Sequence, residues 1–308
     1  MSSDKLLPWA KPLLISSTLT QATIYVLRPM ITYRALELDA NAAQIGLIAS
    51  VYALFPVLLA LQFGKWVGRM GEAKFIIYGT LAMLVTSAGL MVANSILWLS
   101  IAAACAGTAH LACMVGGQSM VALRAPRESY DRYFGFYTFS ASVGHMLGPI
   151  VAAVVAGSNG NLPKSTSNAF LLGVVLTILA LFPVIRWRNE RPTVVAQQNS
   201  EGTYKTALNL VKRPGILAAI YISLAISSAA DVLVVFLPLF GTENNFSPYA
   251  VGAILAIRAG TTMLSRLFLG RLSERFTTFQ LLWWSTVISV ISCAAMAFAR
   301  TPLTLGLI

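Results

Sequence analysis

Few side chains in this sequence can do acid–base or ionic chemistry, and those few stand inside long apolar runs. Asp231 is the one acid within such a run. Arg28, Arg258 and Arg266 are the basic residues there, and His110 and His145 are the only histidines of the chain. A charge in hydrocarbon costs about 2.5–3.5 kcal/mol on insertion scales, so such residues ordinarily face a partner or a watery pathway. Asp231 and Arg258 lie equidistant from the turn between Asn244 and Asn245, and a constant rise per residue puts them at one depth. This symmetry predicts an Asp231–Arg258 ion pair, either a structural pair or a proton site with Arg258 as its modulator. A close arginine favours the charged carboxylate, so proton uptake would require the two to separate.

Around these charges stand uncharged polar groups at helical spacing. His110, Met114 and Gln118 recur at i, i+4 and i+8 and form one wall. Gln21, Tyr25 and Arg28 share one run, and Arg28 lies close enough to its outer end to snorkel toward the interface. His145 lies between two glycines, where it either titrates near neutrality or packs. There is no HExxH, no GxSxG and no pair of carboxylates within the apolar runs, so an enzyme is not the class expected. Cys105, Cys113 and Cys293 lack CxxC or Cys/His spacing, and no metal site or other cofactor is expected.

The elements that must position these groups are bilayer-spanning helices. Of 308 residues 57% are hydrophobic and 11% charged, with a mean hydropathy of +0.73. A soluble domain carries about 25% charged residues. Nine runs reach the roughly 20 residues that a span needs: 12–34, 43–63, 75–93, 96–121, 133–157, 168–186, 215–240, 248–270 and 279–299, and a tenth begins at Leu303. With the N-terminus cytoplasmic, 16 of the 22 lysines and arginines fall in inside segments and 3 (Arg34, Lys164, Arg300) outside. That asymmetry orients the chain and accounts for the net charge of +11 without nucleic acid. The expected setting is the lipid bilayer of a bacterial inner membrane. The polar stretch 188–214 reads as a cytoplasmic linker between a six-helix bundle, 1–187, and a second group of helices, 215–308.

A shift of 206 residues lays segment 42–64 over 248–270 without a gap. Gly46 meets Gly252, Gly64 meets Gly270, Lys65 meets Arg271, Arg69 meets Arg275, and upstream Tyr25 meets Asp231. Parallel repeats of this kind occur in transporters whose halves rock about a midplane site.

Three stretches resemble the major facilitator superfamily. After span 2, Gly64, Arg69 and Gly71 fit its loop pattern, with Gly68 where the family has an acid and Glu72 and Ala73 where it has bases. The second copy holds Gly270, Arg271, Glu274 and Arg275. In span 5, Gly135, Gly144, Gly148 and Pro149 follow the antiporter motif of the drug:proton branches, with Ala152-Ala153 for its last two glycines. The resemblance implies an all-α membrane fold of two pseudo-symmetric six-helix bundles, of which this chain holds about nine transmembrane helices. It implies proton-coupled efflux of a small amphipathic substrate, with uptake of an organic anion as the alternative. A receptor or assembly protein on the same fold is a further class. It places a charge latch at Arg69 and Arg275, with Glu274 near the start of span 5 and a weak first copy. Twelve spans would require roughly 80–100 further residues, so the chain alone is expected not to transport without the helices that complete it.

Overall fold

The computed structural model describes residues 6–190, 211, 215–296 and 301–307. Its elements are α1 (Ala10–Glu37), α2 (Ala42–Met70), α3 (Glu72–Met91), α4 (Ile96–Arg124), α5 (Tyr130–Ala156), α6 (Thr166–Val184), α7 (Ile216–Glu243), α8 (Pro248–Arg275), α9 (Thr278–Met296) and the short α10 (Pro302–Leu307). Most of the linker expected at 188–214 lies outside the described residues.

The helices begin where their caps stand. Asn41 and Gln44 form a reciprocal box at the start of α2, each side chain bonding the other's backbone at 2.9 Å. Ser95 and Ser165 accept from Trp98 and Asn168 one turn into α4 and α6. Gly71, at φ 88°, ends α2 and starts α3 in a single residue. A side chain is strained at that φ, so the glycine of the loop motif has a backbone reason.

By length and composition, five described stretches can cross a membrane: Ala42–Met70, Glu72–Met91, Ile96–Arg124, Arg127–Ala156 and Thr166–Asn189. α1 is not among them; on its buried face Ser16, Ser17, Thr20, Gln21, Thr23 and Arg28 are interspersed with the apolar residues. That face meets protein. α1 packs between α5 and α6 and also touches α4 and α7, while α2 and α3 both pack on α4, and α8 packs on α5. The core around α1 holds Ile24, Leu27, Met30 and Tyr33 against Met83, Leu90, Leu99 and Phe170.

The small residues of α5 make these approaches possible. A Cβ on Gly148 would lie 2.7 Å from the Ala22 carbonyl oxygen and 2.8 Å from the Tyr25 Cβ. One on Gly144 would collide with the Thr18 carbonyl of the same helix. On the other side, a Cβ on Gly252 of α8 would lie 2.8 Å from the Pro149 carbonyl oxygen. α5 is thus a bearing between α1 and α8, as the small-residue pattern requires. Gly135 has open space around it, and no helix contact accounts for it.

α1–α6 and α7–α8 are tied toward the end that carries the α1–α2 and α7–α8 turns. Thr32 Oγ1 donates to the Val235 carbonyl at 2.9 Å, and Asn161 Nδ2 to that of Thr242 at 2.9 Å. Along α7, Val234 and Leu237 are buried at this end, whereas Leu217, Tyr221 and Leu224 are exposed toward the other.

Candidate functional site

Five helices bring their polar residues to one point beside α1. Gln21, 2% exposed, is the hub. Its Oε1 lies 3.0 Å from His110 Nε2 of α4 and 3.0 Å from His145 Nε2 of α5. An amide oxygen only accepts, so each histidine presents an Nε2–H to it. His110 Nδ1 is then the acceptor for the Tyr52 hydroxyl of α2, at 3.0 Å. The Gln21 amide nitrogen points at Met114 Sδ, 3.0 Å away. Tyr25 stacks on the His145 ring with centroids 4.0 Å apart.

The charges continue this network. Arg28, 9% exposed, holds its guanidinium 4.9 Å from the Tyr52 ring centroid, a cation–π distance. It donates to Asp231 Oδ1 of α7 at 2.7 Å. This corrects the expected Asp231–Arg258 pair. Equal depth in a hairpin fixes height and leaves azimuth open. α7 turns its Asp231 face to α1, while α8 packs mainly on α5. The same 203-residue separation joins Arg28 to Asp231 and Thr32 to Val235, as two parallel helices in constant register require. Arg28 is therefore a paired interior charge and does not snorkel. Arg258 remains partly buried, with an Nε that has no partner among the described residues. A cavity of about 20 Å³ lies beside Arg28, Tyr52 and Val235, room for a single water.

Gln21, Tyr25, Arg28, His110, Met114 and Asp231 thus come together. Gln118 does not. It is exposed two turns beyond His110, because the i+4 stripe runs on past the end of the network. His145 and Tyr52 carry more of the site than sequence reasoning gave them. The signal for Tyr52 was present in the 206 register, which sets Tyr52 on Arg258 as it sets Tyr25 on Asp231.

At the far end of the helices the first-copy latch takes a different form. Arg69 is exposed and makes no ion pair among the described residues. Glu72, one of the departures from the loop pattern, is 1% exposed and meets Arg124 of α4 at 2.8 Å. Arg124 also meets Glu190 at 2.7 Å and sits over the Trp187 ring. Of the second copy, Arg275 is exposed at the end of α8. Beyond their backbone, Gly270, Arg271 and Glu274 lie outside the described residues, and so does the expected approach of Glu274 to α5.

Comparisons with known proteins bear on the family and the fold. A multi-drug resistance efflux pump PmrA homolog of Lactococcus lactis is 24% identical over 273 residues, covering 85% of this chain and 64% of that protein. The multidrug resistance protein MdtG of Enterobacter lignolyticus is 24% identical, covering 100% of this chain and 75% of its own length. The chain spans about two thirds to three quarters of these relatives. In fold it resembles a bacterial homolog of the lysosomal transporter Spinster in an inward-facing, unoccupied conformation (TM-score 0.68, 15% identity, 98% of this chain and 71% of that one). It also resembles the nucleoside transporter NupG (TM-score 0.70, 15% identity, 98% of this chain and 77% of that one). The Major Facilitator Superfamily matches residues 13–308, and the all-helical chain with its polar centre on α1 belongs to that family as a multi-pass integral membrane protein.

Proposed function

We propose that this protein acts in proton-coupled efflux of a small amphipathic molecule by alternating access. The observation that carries the reading is the Arg28–Asp231 pair, which joins α1 to α7 at the polar centre. Because a close arginine favours the charged carboxylate, separation of the pair and proton binding at Asp231 are linked: parting of the two helix groups at that end lets Asp231 take up a proton, and the proton then keeps the pair apart. With the N-terminus cytoplasmic, as the 16-to-3 charge asymmetry supports, the tied end faces outward and the exposed stretch of α7 faces the cytoplasm. The two efflux-pump relatives support export. The substrate would meet Gln21, Tyr25 and Met114, a mixed polar and polarizable surface suited to an amphipathic molecule.

Asp231→Asn tests this. Dye export driven by an imposed pH gradient in proteoliposomes is expected to stop, while substrate exchange without a gradient continues. Unchanged gradient-driven export in the variant refutes the reading. One observation favours a second reading, uptake of an organic anion: the buried Arg258 Nε has no partner among the described residues, and a guanidinium suits a carboxylate. Carboxylate uptake that Arg258→Gln abolishes, with no dye export in the parent, would select it.

A further inference from the structure

α2 and α3 both pack on α4 but part from each other, and the space between them is a groove of about 1220 Å³. Its walls are apolar, with Phe55, Leu59 and Phe63 from α2, Tyr78 and Ala82 from α3, and Cys105 from α4. The lining runs along α2 from Leu47 to Met70, about 34 Å at 1.5 Å per residue, close to the roughly 30 Å of a bilayer's hydrocarbon. Its half from Leu59 to Met70 matches one leaflet. Water gains nothing from such walls, and their composition and length suit acyl chains.

The two ends of the groove differ in charge. At the Met70 end, Arg69 stands one turn beyond Trp66 on the α2 wall, and Lys74 one turn before Tyr78 on the α3 wall. Arg69 is exposed and Lys74 half-buried. The nearby acid, Glu72, is turned inward to Arg124 and is 1% exposed, so it does not oppose an anion there. Trp66, 39% exposed, marks the interface at the same level. At the opposite end the lining is Leu47, Ile96, Leu97 and Ser100, without a base.

We propose that this groove is a binding site for an anionic phospholipid, its acyl chains along Leu59–Met70 and its phosphate between Arg69 and Lys74. The site is distinct from the polar centre on α1 and does not depend on what is transported.

Trp66 is its reporter. With the other five tryptophans replaced by Phe, the protein is reconstituted in bilayers containing brominated phosphatidylglycerol or brominated phosphatidylcholine at equal mole fraction. Phosphatidylglycerol is expected to associate about five-fold or more tightly for each engaged base. Arg69→Gln with Lys74→Gln is expected to bring the ratio to about one and leave quenching by phosphatidylcholine unchanged. Ala82→Phe, on the exposed wall, is expected to lower quenching by both lipids. Native mass spectrometry gives a second measure: the parent retains phosphatidylglycerol through detergent and the double charge variant does not. A ratio of one in the parent, a preference that survives the charge changes, or quenching indifferent to Ala82→Phe overturns the proposal.

Discussion

Gly148→Ala tests whether α5 is a bearing that needs bare backbone. The new Cβ would stand 2.7 Å from the Ala22 carbonyl oxygen and 2.8 Å from the Tyr25 Cβ, where ordinary contact begins at 3.4 Å. The neighbours are backbone and a Cβ, so no rotamer change relieves the contact. α1 and α5 must separate locally by about 0.6–0.7 Å, and overpacking of that kind costs about 1–3 kcal/mol. Alanine recovers about 0.5–1 kcal/mol of helix propensity. The same substitution at Gly135, where a Cβ meets nothing within 4 Å, brings the propensity gain alone. The difference between the two variants therefore isolates the overpacking, about 1–3 kcal/mol in favour of Gly135→Ala. Apparent melting in lipid nanodiscs, followed by tryptophan fluorescence, measures it. Gly144→Ala should be at least as costly as Gly148→Ala. Equal stability of Gly148→Ala and Gly135→Ala would refute the reasoning, because the motif glycines would then have no packing role.

Three further outcomes follow from the geometry. In a double-mutant cycle of Arg28→Gln and Asp231→Asn, the coupling energy should be about 1–2 kcal/mol. A fully buried pair would give more, but the Asp231 side chain is 57% exposed among the described residues; a coupling indistinguishable from zero contradicts the pairing. At the other end of the helices, Arg124→Ala should destabilise by up to about 3 kcal/mol, because Glu72 is buried. Glu190→Ala should cost roughly 1 kcal/mol or less, since Glu190 is 38% exposed; chemical denaturation of the two variants checks their order. Gln21→Leu removes the acceptor shared by both histidines, at about 0.5–1.5 kcal/mol per hydrogen bond lost. Nitrogen-15 NMR of the two imidazoles should show both resonance sets shift together, and a change confined to one histidine would break the shared-acceptor arrangement.

The order of the helices was legible because apolar runs, caps and loop charges all act locally. Asn41 with Gln44 and the glycine at 71 sit within a turn of what they control. Depth was legible in part, since a constant rise set Asp231 and Arg258 at one level, while Arg28 stood between the interior and the nearer interface. Azimuth was not. The pairing of Asp231 with Arg28 over Arg258 depends on which neighbour α7 leans upon, a property of the whole packing. Tyr52 escaped notice because an aromatic in an apolar run has the composition of ordinary packing. Glu72 was read as a misfit in a loop motif, whereas burial against Arg124 makes it structural. Gly135, which completes the motif on paper, has no neighbour that explains it.

The shared carbonyl of Gln21 has one more consequence. An amide oxygen has two lone pairs, and His110 and His145 occupy both. The hub is therefore full at rest. A ligand that takes this acceptor would have to displace one imidazole from it. Such a displacement would fall on α4 or on α5, depending on which histidine yields. Of the two, α5 alone is threaded between α1 and α8. Displacement of His145 would be felt where α5 packs on both α1 and α8, and displacement of His110 within the first group of helices.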